Sequence, residues 1–267
     1  MQRTMLCAAV LWIAAATVLP AATPVVEWLF NDNDNLGNDS SQEGKVHATA
    51  HGADWTATPI DGGALLDGKS GYLRAPDSAL INTTGPFPKR TVVAVFKVDD
   101  ARISTRKQVV FEEGGRTRGA VIYVFDGEVY VGAWNRAEYH WQGEWISAGI
   151  QSNRWYHVAL LIRDAKGAVE DDKFEMWLDG SLVEKRPGGQ LHAHGDDTGI
   201  GAVVQNVFFH DEGGSGTLTD HFGGVIEELR IYNESLTRAE MEDDARSFLS
   251  VESRGKVAVR WGVLKTD

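Results

Sequence analysis

Cysteine is nearly absent. Cys7 is the only one in 267 residues, so no disulfide can form within the chain and a small disulfide-framed fold is excluded. Positive charge is scarce as well: 26 lysines and arginines stand against 38 aspartates and glutamates, a formal net charge of −12, with no run of five basic residues. Phosphate affinity comes mostly from clustered basic side chains, so a nucleic-acid partner is excluded. The 29 glycines keep no three-residue period and 43% of residues are hydrophobic, which excludes collagen and a disordered chain. No internal repeat and no low-complexity linker divides the sequence. What remains is an acidic, tryptophan-rich globular chain of one domain, read as 24–250.

The first residues read as an address. Gln2-Arg3 forms a short positive segment, Leu6 to Leu19 is an uncharged apolar run, and the small residues Ala21-Ala22 follow. This pattern predicts a signal peptide over 1–22, cut near Ala21 or Ala22. The apolar run is shorter than the roughly 20 residues a membrane-spanning helix needs. Its removal takes away Cys7, leaves the remainder more acidic, and predicts a secreted, periplasmic or cell-surface protein stabilised by its core without disulfides.

Beyond the leader, apolar runs are short and separated by turn residues. Thr91–Val98, Gly119–Phe125, Glu128–Trp134, Trp155–Arg163, Phe174–Leu178, Ala202–Phe209 and Phe222–Tyr232 are of strand length and rich in valine, isoleucine and aromatics. Asp126-Gly127 and Asp179-Gly180 predict two tight hairpins, because both positions of such a turn need positive φ. Many short strands with turns between them predict a sandwich or barrel. The one good helix signal is the capping box Thr237/Glu240, leading to about Phe248, which reads as an appendage to an all-β fold. Residues 251–267, with the segment KVAVRWGVLK, read as a loosely packed C-terminal tail.

Six segments in order carry a family resemblance: VVEWLFNDNDNLGNDSSQEGK, GGALLDGKSGYLRAP, RTVVAVFKVDD, WYHVALLI, FEMWLDGSLV and FGGVIEELRIYNESLTRAE. Together they resemble the laminin-G-like family of concanavalin A-like jelly-roll sandwiches, in its bacterial secreted form. The stretch FEEGGRTRGAVIYVFDGEVYVGAWN is similar to a recurrent subtype of it. The resemblance implies two antiparallel sheets of six or seven strands each, face to face, with one concave. It also implies a carbohydrate-binding or adhesive module whose partner is a glycan or an extracellular protein, and a structural Ca2+ in many members. Fold alone does not license function, since the same sandwich carries hydrolases and lyases.

For calcium, the loop DNDNLGNDSSQE spaces its acids much like an EF-hand, but Leu36 stands at the fifth position and a strand-like EWLF precedes it. By motif position the resemblance implies Asp32, Asp39 and Glu227 as metal ligands. For sugar, the cluster Trp134, Asn135, Arg136, Tyr139, His140, Trp141 and Trp145 interleaves aromatic faces with amides and charges, and Trp134, Asn135 and Trp141 are the candidate ligand contacts. His192 and His194 lie two apart in a glycine-rich loop with no obvious third zinc ligand.

Catalysis is the alternative reading, as a polysaccharide hydrolase or lyase. Glu170, Asp172 and Glu175 match a glucanase-type E-x-D-x-x-E row literally. The intervening Asp171, Lys173 and Phe174 do not give the apolar alternation a concave strand needs, so the string reads as an acidic turn. There is no G-x-S-x-G elbow. The expectation is a non-catalytic binding module with no catalytic residues.

Overall fold

The computed structural model describes residues 21–211 and 213–249, so the tail and all but the end of the leader lie outside the described residues. The strands in chain order are β1 (Val26–Trp28), β2 (Thr49–His51), β3 (Asp54–Ala57), β4 (Gly62–Asp67), β5 (Tyr72–Ala75), β6 (Arg90–Val98), β7 (Gln108–Gly114), β8 (Arg118–Phe125) and β9 (Glu128–Asn135). They continue with β10 (Trp141–Gly149), β11 (Trp155–Ile162), β12 (Glu170–Leu178), β13 (Ser181–Gly188), β14 (Thr198–Ile200), β15 (Val207–Phe208), β16 (Gly214–Ser215) and β17 (Gly223–Tyr232). One helix, α1 (238–249), closes the described chain.

Two antiparallel sheets result. One has eight strands, in the order β13-β12-β11-β6-β17-β4-β3 with β1 beside β17; the other has seven, in the order β10-β9-β8-β7-β14-β5-β2. Neighbours such as β6 and β17 are far apart in the chain, as a jelly roll requires. Both expected hairpins form, with positive φ at Asp126, Gly127, Asp179 and Gly180.

Alternation along the strands builds the core between the sheets. Val92, Ala94, Phe96 and Val98 of β6 and Val158, Leu160 and Ile162 of β11 face Ala120, Ile122 and Val124 of β8 and Val129, Val131 and Ala133 of β9. The alternate positions are apolar too, and something must cover them. On the eight-stranded sheet this is α1: Met241 packs with Val93, Ala159, Leu161 and Trp177, while Phe248 packs with Val95, Trp155 and Val225. The helix is therefore part of the packed body, not an appendage. Its capping box forms as expected, with the Thr237 amide donating to Glu240 Oε2 at 2.8 Å and the Glu240 amide donating to Thr237 Oγ1 at 3.3 Å. Asp244 fixes its rotation, bonded to the buried His157 Nε2 at 3.0 Å and accepting from Arg230 at 2.8 Å.

The outer face of the seven-stranded sheet is covered differently. Val109, Val121, Tyr123 and Trp134 pack beneath Val203, Val207, Phe208 and Phe209. The stretch Ala202–Phe209 reads as a strand in the sequence because it is apolar. Instead it crosses the sheet as a cover, pairing only briefly, Val207–Phe208 with β16 and Val203 in a single bridge to Thr219. The buried Glu112 anchors it, Oε1 accepting from the Val204 amide at 2.9 Å, and burial raises this carboxyl well above its ordinary pKa.

Asp39 does for the loop after β1 what a metal was expected to do. Its Oδ1 accepts from the amides of Glu27 and Ser41 and its Oδ2 from those of Lys45 and Val46, each at 3.0 Å. Burial opposes its charge, but the backbone bonds outweigh burial and hold the carboxyl below the usual range. With every bonding position of the carboxylate occupied, Asp39 is corrected from metal ligand to loop anchor. Replacing Asp39 by alanine should lower stability at pH 7 by about 3 kcal/mol, since each buried orphan amide costs about 1–3 kcal/mol and water reaches some of them. The native pKa is depressed, so this contribution is full above the ordinary carboxylate pKa and is lost as pH falls through the depressed value. The gap between wild type and Asp39→Ala should therefore narrow in acid, below about pH 4. Urea unfolding at several pH values reads this, and equal midpoints at pH 7 would contradict the anchoring role.

Candidate functional site

The three residues read as ligand contacts are all inside the protein. Trp134 and Asn135 are fully buried and Trp141 is 3% exposed. Trp141 lies in the core with its ring edge-on to Phe174, and Trp134 is sandwiched between Trp145 and Phe208 on the covered face. None offers a face on which a sugar could stack, so all three are corrected from contacts to supports. What Trp134 and Asn135 support is a cleft at one end of the seven-stranded sheet.

The cleft begins at the β7–β8 turn, in the segment GGRTRG. Gly114 holds φ 105° there, and a Cβ would lie 2.3 Å from the Arg118 carbonyl oxygen, so only glycine fits. Trp134 Nε1 donates to the Gly115 carbonyl at 2.9 Å and so pins the turn from beneath. Asn135 receives the Glu138 amide at 3.4 Å, and Glu138 in turn holds the Arg118 guanidinium through both carboxylate oxygens. The opposite wall is the loop before β14. Asn82 fixes it at two points, its side-chain amide donating to the Asp196 carbonyl at 2.7 Å and its backbone carbonyl accepting from the His194 amide at 3.0 Å.

Gly115, Arg116, Thr117, Arg118, His194 and Asp196 line the resulting cleft of about 500 Å³, which Gly195 and Asn206 complete. A second recess of about 300 Å³ shares Arg116 and Thr117 and adds Arg136 and Gln142. Behind the first, His194 Nε2 lies 2.7 Å from Glu113 Oε2, with side chains 7% and 4% exposed. His194 Nδ1 is buried with no hydrogen-bond partner, and Asp196 Oδ2 is 3.8 Å from it. Burial disfavours the imidazolium, but the carboxylates of Glu113, Asp196 and Asp77 outweigh burial and raise the His194 pKa above its ordinary value. Guanidinium donors, a carboxylate and an amide thus converge on a space open to solvent, the equipment for holding a hydroxyl-rich molecule.

The sequence did carry a signal for this site: two arginines among three glycines in an acidic chain. The histidine pair separates. His192 Nε2 meets the Tyr139 hydroxyl at 3.0 Å while His194 turns to Glu113, and among the described residues no group of three His, Cys, Asp or Glu side chains can hold a metal.

The other expected metal ligands also part company. Asp32 is exposed and caps a turn, accepting from the amides of Asp34 and Asn35 at 3.0 and 3.2 Å. Glu227 is 3% exposed; its Oε1 accepts from the Thr58 hydroxyl and from the Ile60 amide, and its Oε2 has no partner. Burial raises its pKa. It lines a pocket of about 110 Å³ with Asn31, Asp61 and Glu228. The indole of Trp55, 36% exposed, sits against Gly62 at its rim. Of the carboxylate row, Glu175 is buried in ion pairs with Arg163 and Lys185 at 2.7 and 3.0 Å, which against the cost of burial bring its pKa down to about 2. Phe174 beside it points into the core.

Known structures share this fold. Domain 4 of AbnA, a GH43 extracellular arabinanase from Geobacillus stearothermophilus, solved with arabinotriose, superposes with a TM-score of 0.58 at 17% identity, covering 85% of this chain and 100% of that one. The binding domain of Paraclostridial Mosquitocidal Protein 1 gives 0.64 at 12% identity over 85% of this chain and 52% of the other. The binding domain of botulinum neurotoxin DC, solved with SialylT, gives 0.60 at 10% identity over 84% and 51%. The chain thus spans about half the length of these two toxin binding domains. No curated protein matches the chain by sequence. The family model Laminin_G_3, of the concanavalin A-like lectin/glucanases superfamily, matches residues 67–242, and the chain belongs to that family.

Proposed function

We propose that the chain is an exported, non-catalytic glycan-binding module that holds its ligand in the cleft between the β7–β8 turn and the loop at 194–196. The observation that carries this reading is that Arg116, Thr117, Asp196 and Asn206 line one cleft together with His194, whose Nδ1 is buried without a hydrogen-bond partner. Sugar hydroxyls both donate and accept, and a mixed wall of this kind matches them. The arabinotriose and SialylT complexes of two structural neighbours support a glycan as the class of ligand. Binding is favoured over hydrolysis because Glu113, the second carboxylate near Asp196, is engaged by His194. A two-carboxylate mechanism needs both groups free across the bond to be cut. A glycan array should show saccharide binding that Asp196→Ala weakens about tenfold, the loss of one charge-assisted hydrogen bond. No binding to any saccharide, or release of reducing ends, would contradict the reading.

The same reading includes a structural calcium at the Glu227 pocket. Calcium takes oxygen ligands, and Glu227 Oε2, Asp61 and the Asn31 carbonyl oxygen supply them where a buried carboxylate oxygen otherwise lacks a partner. A bound cation would neutralise Glu227 and tie β17 to the β3–β4 connection. Excess calcium should raise the melting temperature of the wild type over that in chelator by about 5 °C and leave Glu227→Gln unmoved. Equal melting temperatures in wild type would rule this out.

Export rests on the leader pattern and on how the chain begins beyond it. The Ala22 amide donates to Glu240 Oε1 at 3.0 Å, beside the capping box. Cleavage between Ala21 and Ala22 would place the new ammonium against that carboxylate, turning an amide-to-carboxylate hydrogen bond into an ion pair. The intact mass of protein recovered outside the cytoplasm should correspond to a chain starting at Ala22. A chain retaining Met1 would contradict export, and one starting beyond Ala22 would contradict this pairing.

A further inference from the structure

We propose that the cleft takes a uronic acid residue, its carboxylate held by Arg116 and His194 Nδ1 and its ring hydroxyls by Asp196 and Asn206. This rests on the cleft being the glycan site, and it adds the chemical class of the sugar. In a chain of net charge −12, most arginines among the described residues are held in ion pairs, for example Arg74 with Asp197, Arg118 with Glu138, Arg163 with Glu175 and Arg230 with Asp244. Arg116 is exposed and has no acidic partner among the described residues. Arg136, across the shared wall, bonds only the neutral Gln142 at 3.3 Å and lies over the Phe208 ring at 4.8 Å. Two guanidiniums left without carboxylates on adjoining recesses are a place for a carboxylate brought by a ligand, which a guanidinium binds through two parallel hydrogen bonds.

His194 sharpens the choice. Its Nε2 is occupied by Glu113, so the proton of the imidazolium that remains free to bind is on Nδ1, a buried nitrogen without a hydrogen-bond partner, 3.8 Å from Asp196 Oδ2, on a residue that lines the cleft. A carboxylate oxygen there completes it; a neutral hydroxyl completes it less strongly. The charged groups facing this histidine are Glu113 from β7, Asp196 from its own loop, Asp77 from the segment after β5 and Arg118 from β8, with Arg90 behind Glu113. The three carboxylates keep the imidazole protonated above its ordinary pKa. Binding of a uronate should therefore be full at mildly acid pH and should weaken as pH rises through that raised value, when the Nδ1 proton is lost.

Calorimetry of the purified protein with tetramers cut from pectate, alginate and hyaluronan, each beside its carboxyl-reduced counterpart, tests this, with arabinan and galactan tetramers as neutral references. At least one acidic tetramer should bind about tenfold more tightly than its reduced form, lose that margin in Arg116→Ala, and weaken about tenfold between pH 6 and pH 9. His194→Gln, which cannot carry the charge, should flatten the pH profile, and Arg102→Ala, an exposed arginine elsewhere, should change nothing. Arg116 has no side-chain partner among the described residues, so its loss should leave stability intact, which a thermal melt checks. Equal binding of acidic and reduced tetramers, or of neutral tetramers alone, overturns the uronate assignment and leaves the glycan-binding reading standing. Binding of none of them overturns the uronate assignment, and an empty glycan array beside it overturns the glycan-binding reading as well.

Discussion

The structure depends on covering apolar residues that point away from the core. In β6 and β11 the outward positions Val93, Val95, Ala159 and Leu161 are as apolar as the inward ones, and in β7, β8 and β9 the outward Val109, Val121, Tyr123 and Trp134 are too. Leaving these faces in water would forfeit about 25 cal/mol for each Å² of apolar surface. The chain therefore lays α1 over one sheet and the segment Ala202–Phe209 over the other. Where a lectin-like sandwich can offer an open sheet face to a ligand, this one has closed the central part of both.

That closure leaves the end of the seven-stranded sheet for the proposed recognition, where the cleft is built from turns. The covered Trp134 reaches past the last paired residues to bond Gly115, and Asn135 orients the chain that holds Arg118 through Glu138. Large aromatics fix the walls while flexible polar side chains face the solvent. The arrangement divides labour between a rigid scaffold and a few exposed groups, which is how a small number of side chains can be held in register for a ligand.

The architecture was legible in the sequence because its local signals are strong: the two Asp-Gly hairpins, the Thr237/Glu240 capping box and the ordered family segments each specify a geometry. The number of strands was less so; one sheet has eight, one more than expected, because short edge strands such as β1 and β3 carry too few residues for a period to show. The site was misread for a physical reason. Alternation tells which residues share a face but not whether that face meets solvent or a cover, so Trp134 looked available when Phe208 lies on it. Asp39 looked like a cation ligand because carboxylates that bind metals and carboxylates that bind backbone amides have the same composition and spacing. The arginines of GGRTRG were in plain view, but that Glu138 holds Arg118 while Arg116 is left without an ion pair among the described residues is a property of three-dimensional neighbours that no pattern in the chain reports.

The central claim is that ligand recognition takes place at the sheet end and not on a sheet face. A crystal structure of the protein with its best-binding saccharide tests it most directly. The account predicts a sugar ring between the β7–β8 turn and the loop at 194–196, within hydrogen-bond distance of Arg116 and Asp196, with Ala202–Phe209 still in place over Trp134. A sugar lying across the seven-stranded sheet with that segment displaced, or stacked on Trp55 at the far pocket, would contradict it.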